Sequence, residues 1–214
     1  MNKPEAIIFD WDNTLVDTWS LLLQSMNETF IIFGMTTWTL EEMKERCFRS
    51  MKDVFPQIFG NRWEEAGQLY RKTYRLNRAA ELRFLPNALD FLDMVKYNNI
   101  YTAIVSNKAS EILKEEVALL KVEEYFAKII GSGDAPEDKP SPIPFQYALS
   151  DSNIQLSANV WYIGDTEGDM ESAHNANCKQ IFYGRDFNDT MKSNYPNVIY
   201  MENYRTLIKY FTNL

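Results

Sequence analysis

The chain has 214 residues, of which 45% are hydrophobic, 24% charged and 14% aromatic, with only 8 glycines and 8 prolines. That length and composition exclude a collagen-like or disordered chain and allow one folded domain, alone or with a modest insertion, whose core needs no covalent staple. The 22 basic residues against 30 acidic ones give a net charge of −8, the wrong sign for counterion-releasing contact with nucleic acid or an anionic membrane. Neither is expected as a partner, and any bound anion must meet a local positive site. Two cysteines, Cys47 and Cys178, form no CxxC pair, so a disulfide framework and a thiolate metal site are both excluded and a reducing compartment is the simplest setting. Both are read as buried filler. Only four apolar residues precede Asp10, too few for a signal-peptide core, and no apolar run approaches the ~18 residues of a membrane span. A cytoplasmic location is expected.

The first element is the short apolar run Ala6 to Phe9, which lacks alternation and reads as a strand buried on both faces. From Asp17 to about Arg83 no strand is expected, and three helical stripes run in succession. They are Trp19, Leu22, Leu23, Met26, Phe30 and Phe33; then Leu40, Met43, Cys47, Met51 and Val54; then Trp63, Ala66, Tyr70 and Tyr74. Thr39 with Glu42 and Asn61 with Glu64 have the spacing that starts a helix by satisfying its free N–H groups. Beyond them the strand pattern returns. Tyr101 to Val105, the weaker Lys128 to Ile130, Val160 to Ile163 and Gln180 to Tyr183 alternate with amphipathic helices such as Ala88, Phe91, Leu92 and Val95, and Ile112, Leu113, Val117 and Leu120. Strand, helix, strand in repetition predicts an α/β fold with a parallel sheet covered on both faces. The expected organisation is a core of residues 1–16 and 84–214 interrupted by an all-helical insertion, 17–83.

Ligands in open parallel sheets bind beyond the carboxyl ends of the strands, and here those ends are polar. The first run ends Asp10-Trp11-Asp12-Asn13-Thr14, the second Ser106-Asn107-Lys108, the third leads through Gly131-Ser132-Gly133 to Lys139-Pro140, and another ends Gly164-Asp165-Thr166-Glu167-Gly168-Asp169. Asp10 and Asp12, two apart, leave an extended chain on the same side, with Trp11 directed away into packing. One carboxylate can attack a phosphorus centre and form a covalent phosphoryl-enzyme. The other can protonate the leaving oxygen and then deprotonate water. Two such charges repel a phosphate, so a cation is required, and Asp165 supplies a further oxygen ligand for Mg²⁺. Lys139 is read as a fixed positive charge that offsets the aspartate and phosphoryl oxygens. It precedes Ser141 and Pro142, an N-cap and first-turn pair. Ser106 and Asn107 place a hydroxyl and backbone N–H groups where phosphate oxygens would be held. Asp169, in the first turn of the next helix, is placed to orient a metal ligand or the lysine rather than to bind metal itself.

At these residues the chain resembles the haloacid dehalogenase-like hydrolase superfamily. Asp10-Trp11-Asp12-Asn13-Thr14 matches its first motif, Ser106 its second, Lys139 with Pro140 and Pro142 its third, and Gly164-Asp165 with Asp169 its fourth. The insert directly after the first motif is similar to the cap of the phosphoglycolate phosphatase and β-phosphoglucomutase branch. The resemblance implies a Rossmann-like core and Mg²⁺-dependent phosphoryl transfer. In it Asp10 is nucleophile and ligand, Asp12 is acid/base and ligand through its main-chain carbonyl, and Asp165 is the third ligand. Thr14, Ser106, Asn107 and Lys139 would hold the phosphoryl group. Asn13 stands where glycine is common, and Ser106 where threonine is common. Members that cleave carbon–halogen bonds lack the second aspartate, so Asp12 argues for a phosphatase acting on a small phosphorylated metabolite.

Other candidates read more plainly. His174, the only histidine, lies inside the helix after Asp165 without a paired nucleophile and is read as a surface or packing residue. Arg46, Arg49 and Lys52 form a basic cluster in the insert, read as a solvated helix face. The same core could instead serve a sugar-phosphate mutase, or a phosphonatase with Lys44 or Lys52 as Schiff-base lysine, or a non-catalytic regulatory protein.

Overall fold

The computed structural model describes residues 3–46 and 51–214, so Cys47 and Arg49 lie outside the described residues. The chain divides into two compact units, one of residues 1–16 and 84–214 and the other Asp17–Arg83.

The larger unit is built on a six-stranded sheet of order β5-β4-β1-β6-β7-β8, whose neighbouring strands all pair parallel. Its strands are β1 (Ala6–Phe9), β4 (Tyr101–Ala109), β5 (Lys128–Ser132), β6 (Val160–Gly164), β7 (Lys179–Tyr183) and β8 (Ile199–Met201). The helices between them are α5 (Ala88–Tyr97), α6 (Ser110–Leu120), α7 (Ile143–Leu149), α8 (Glu167–Asn175) and α9 (Asp189–Asn194), and α10 (Tyr204–Thr212) follows the last strand. β1 lies at the centre, and its four residues are wholly buried, which is why it reads as a continuous apolar run rather than an alternating one. Successive side chains leave opposite faces. On one face Ala6 and Ile8 join Phe145 and Ala148 of α7 and Ala173 of α8. On the other, the Phe9 ring meets Phe91 of α5 with centroids 6.1 Å apart, and Phe91 in turn meets Tyr204 and Phe211 of α10 at 5.8 and 5.7 Å.

The helical unit contains α1 (Trp19–Ile32), α2 (Leu40–Arg46), α3 (Met51–Phe59) and α4 (Trp63–Glu81). Two-residue strands β2 (Val16–Asp17) and β3 (Arg83–Phe84) pair with each other where the chain leaves and rejoins the sheet. Aromatic rings fill the unit's interior: Phe30 meets Trp38 at 4.7 Å and Phe59 at 5.6 Å, and Phe55 meets Tyr70 at 5.5 Å. The buried side of α1 is rotated from the expected stripe, because Leu21, Ser25 and Thr29 are buried alongside Met26 and Phe30. Ser25 and Thr29 are tolerated there because their hydroxyls donate back to the carbonyls of Leu21 and Ser25, each at 2.8 Å. The Thr39–Glu42 capping box forms, with Thr39 N–H donating to the Glu42 carboxylate at 2.9 Å and Glu42 N–H to the Thr39 hydroxyl at 3.2 Å. The Asn61–Glu64 cap does not. A 3-10 turn over Gly60–Arg62 runs directly into α4, whose first residue follows Arg62 with no side-chain cap.

No helix among the described residues is long and apolar enough to cross a membrane. Phe91→Ala removes the ring that links β1 to α5 and α10, and is expected to cost about 3–5 kcal/mol of stability. Urea unfolding should show a lower midpoint with an unchanged slope.

Candidate active site

Strand pairing in register brings the ends of β1, β4 and β6 to one edge, with Phe9 beside Ile104 and Ile163. Asp10 follows immediately, and its N–H still donates to the Ile163 carbonyl at 2.9 Å, so the first carboxylate is fixed by the sheet itself. The chain then turns tightly. Leu15 and Val16 N–H groups both donate to the Trp11 carbonyl, and Asn13 N–H to that of Val16. Asn13 sits at φ 57°, in the left-handed region that asparagine tolerates better than other residues with a Cβ. It therefore fills a position where glycine would be the ordinary choice.

Lys139 occupies the middle of the site. Its ammonium donates to Asp10 Oδ1 at 2.8 Å, to Asp169 Oδ1 at 2.7 Å and to the Tyr162 hydroxyl at 2.8 Å, which uses all three of its N–H bonds. The loop that delivers it is pinned by Asp138, whose carboxylate accepts from the Ser132 hydroxyl at 2.7 Å and from Gly133 N–H at 3.2 Å. Asn107 grips the Lys139 main chain from the other side. Its carbonyl oxygen accepts from Lys139 N–H at 3.0 Å and its amide donates to the Lys139 carbonyl at 3.1 Å. The Asn107 side chain thus locates the lysine. The helix after Lys139 begins at Ile143, one residue later than the Ser141–Pro142 pairing predicts, with the Ser141 hydroxyl accepting from Ile143 N–H at 3.2 Å.

Asp169 anchors the lysine from α8. It stands at the third position of that helix, in a capping box with Thr166: its Oδ2 accepts from Thr166 N–H at 3.0 Å and from the Thr166 hydroxyl at 2.6 Å. Its Oδ1 accepts from Lys139. Gly164 makes the approach possible, because a Cβ there would lie 2.4 Å from both Cβ and Cγ of Asp169. One carboxylate oxygen each of Asp10, Asp165 and Asp169 lies within 4.8 Å of the others. Asp165 is held by the Thr14 hydroxyl, which donates to its Oδ1 at 3.2 Å, so Thr14 contacts a carboxylate here. Ser106 is buried within β4, where the register with β5 shifts between Val105 and Ala109, its hydroxyl accepting from Lys108 N–H at 3.3 Å.

The electrostatics separate these acids. Burial pushes the Asp10 carboxyl up to about 6, with Lys139 pulling the other way. Asp165 is driven well above the usual carboxylate range by burial, then by the Asp169 and Asp10 charges. Asp169 is also buried, yet the Lys139 ammonium and the Thr166 donors hold it below that range. Burial opposes the Lys139 charge, but Asp10 and Asp169 more than compensate and raise its pKa. A divalent cation fits this donor set. Asp10 and Asp165 are adjacent carboxylates whose ionised forms are disfavoured as they stand, and Asp169 already has both oxygens engaged.

Asp12 turns to a different partner. Its Oδ1 accepts from the Lys108 ammonium at 2.5 Å, and Lys108 also lies 3.0 Å from Glu116 of α6, a carboxylate with no solvent exposure. Trp11 is wholly buried as expected, and its indole N–H donates to Glu116 Oε2 at 2.7 Å. Sequence reasoning missed Tyr162, Lys108 and Glu116. Each left a trace: Tyr162 carries the one side-chain hydroxyl in Val160 to Ile163, Lys108 directly follows Ser106-Asn107, and Glu116 interrupts the apolar stripe of α6. His174 is exposed on α8. In the helical unit, Arg46 pairs with Glu42 at 3.7 Å and lies over the Trp38 ring, Lys44 lies over the Trp19 ring, and Lys52 is exposed.

A family model described as haloacid dehalogenase-like hydrolase matches residues 7–183. A phosphoglycolate phosphatase of Neisseria meningitidis is 26% identical over 186 residues, covering 83% of this chain and 79% of that protein. A pyrophosphatase of Oceanobacillus iheyensis is also 26% identical, over 91% of each chain. Among solved structures, a hydrolase of the same superfamily from Ehrlichia chaffeensis is 32% identical with a TM-score of 0.69, covering 100% of this chain and 98% of its own. A haloacid dehalogenase-like family protein from Streptococcus pneumoniae shares the fold at a TM-score of 0.79 and 23% identity, over 96% of this chain and 97% of its own.

Gly164→Ala must push Asp169 away from Lys139. The variant is expected to lose most activity while keeping its secondary structure, measured by phosphate release and far-UV circular dichroism; wild-type turnover would refute the close-packing argument.

Proposed function

The chain belongs to the haloacid dehalogenase-like hydrolase family and is a phosphatase, and from that premise we propose that it hydrolyses a small phosphomonoester of the phosphoglycolate type, with Mg²⁺, through an aspartyl-phosphate. The observation that carries this reading is the Lys139 ammonium held 2.8 Å from Asp10 at the end of the central strand. A buried carboxylate beside a fixed positive charge can accept a dianionic phosphoryl group that it would otherwise repel.

In the proposed reaction an Asp10 carboxylate oxygen attacks phosphorus while the bond to the ester oxygen breaks and that oxygen takes a proton from Asp12. Water then attacks the phosphoryl-aspartate and gives its proton to Asp12. The phosphorus–oxygen bond to Asp10 breaks, releasing inorganic phosphate and restoring both side chains. Lys139 offsets charge on Asp10 and the transferring oxygens, and the Ser106 hydroxyl with the backbone N–H groups that follow it, Asn107 among them, holds the remaining oxygens. Mg²⁺, held by the Asp10 and Asp165 carboxylates and the Asp12 main-chain carbonyl, would supply charge neutralisation at the phosphoryl group. The helical unit 17–83 is assigned the role of a cap that sets specificity and excludes water. With a polar small-molecule substrate and no membrane-spanning helix among the described residues, a cytoplasmic location is the reading adopted.

Asp10→Asn is expected to abolish release of phosphate from phosphoglycolate and other small monoesters with little change in thermal stability; normal turnover would overturn the nucleophile assignment. The metal assignment has its own test in the apparent melting temperature. The raised carboxyls of Asp10 and Asp165 contribute stability that is present below the ordinary carboxylate pKa and is lost as pH climbs through their folded values, near 6 for Asp10. A cation bound by those ionised groups restores it. Mg²⁺ is therefore expected to raise the melting temperature more at about pH 7.5 than at about pH 5, and an equal effect at both would remove Asp10 and Asp165 from its ligand set.

A further inference from the structure

The buried acid Glu116 has no place in the reaction just described. It lies inside the apolar face of α6, between Ile112, Leu113 and Val117, with no solvent exposure. A leucine would fill such a position at lower cost, since an ionised carboxylate moved out of water loses several kcal/mol of hydration. Its Oε2 accepts from the Trp11 indole at 2.7 Å and lies 3.0 Å from the Lys108 ammonium, while its Oε1 has no hydrogen-bond partner among the described residues. Lys108 bridges from there to Asp12 Oδ1 at 2.5 Å, and its own side chain is 6% exposed. The chain therefore runs from a helix interior to the acid/base carboxylate, and Trp11, the residue between the two aspartates, is tied to its buried end.

We propose that Lys108 is a positioning residue that holds the Asp12 carboxylate in the orientation for proton transfer to and from the reacting oxygens, and that Glu116, fixed by Trp11, is the buried anchor that keeps Lys108 in place. The inference rests on the acid/base role of Asp12 in the preceding reading. An ammonium clamped on one carboxylate oxygen restricts rotation of the Asp12 side chain. Lys108 has four flexible methylenes and would cost rotamer entropy to hold. The second carboxylate at 3.0 Å removes that freedom.

Misplaced proton donors slow substrates in proportion to how much their leaving group needs a proton, which a merely structural defect does not. Lys108→Met is expected to lower kcat/KM for an alkyl phosphomonoester such as glycerol phosphate by about 100-fold, and for p-nitrophenyl phosphate by less than about tenfold, with KM little changed. Glu116→Gln should show the same pattern more weakly, and Lys108→Arg should recover part of the loss. In an Asp12→Asn background, Lys108→Met should cost nothing further. Equal losses on both substrates, or additive losses in the double variant, would overturn the proposal. A crystal structure of Lys108→Met provides a readout independent of turnover: Asp12 should adopt another rotamer while Lys139 stays on Asp10. An unmoved Asp12 would overturn the positioning role even in an inactive protein, whereas a turnover-competent Asp10→Asn would overturn the functional reading and leave that geometry intact.

Discussion

A lysine ammonium has three N–H bonds, and in Lys139 they go to three different parts of the chain: Asp10 after the central strand, Tyr162 within β6 and Asp169 in the first turn of α8. Every other feature of the site depends on that distribution. Two carboxylates at contact distance from one cation, in surroundings of effective dielectric near 20, each gain about 4 kcal/mol of attraction at ~4 Å, and their mutual repulsion falls on the lysine to offset. Removing the lysine would leave buried charges unpaired, a far larger penalty than the pair is worth as a stabilising contact. The surrounding devices follow from holding it still. Asn107 grips its main chain, Asp138 pins its loop, and Gly164 gives up a side chain so that Asp169 can approach.

Much of this architecture was legible from residue pattern. β1, β4, β6 and β7 are buried on both faces, so their apolar runs carry no competing period, and the helices that cover them show one apolar stripe each. The elements that escaped notice are those whose existence is decided elsewhere. β8 is three residues at the sheet edge, with Tyr200 exposed, and it is a strand only because β7 offers it hydrogen-bonding partners. β2 and β3 are two residues each and exist by pairing with each other across an intervening 65 residues or so. The rotated face of α1 has a related cause. Ser25 and Thr29 read as solvent-facing polar residues until their hydroxyls are seen to bond within the helix.

The acidic members of the site were legible because they follow strands, and position after a buried strand is a local property. Their partners were not, because a partner is defined by contact across the fold. Tyr162 sits in a strand whose other members are apolar, and a tyrosine there is indistinguishable from core filling until its hydroxyl meets Lys139. Lys108 stood in the sequence beside two recognised residues, but its direction was set by Glu116 from α6, eight residues on and across a turn. Asn107 shows the same limit: its place at a polar strand end is a local property, while the grip of its side chain on the main chain of a residue 32 positions away is not.

The two lysines repeat one arrangement. Lys139 lies between Asp10 and the buried Asp169, and Lys108 between Asp12 and the buried Glu116. In each case a carboxylate in the segment after β1 is held by an ammonium that also meets a second, buried carboxylate. Asp169 offsets part of the Lys139 pull on Asp10, whose carboxyl burial raises to about 6. Asp165 is the exception, held by the neutral Thr14 hydroxyl and raised by burial and then by its charged neighbours. An acid left without its own ammonium, next to one whose ammonium is shared, is a local deficit of positive charge, and a divalent cation is the species that such a deficit recruits.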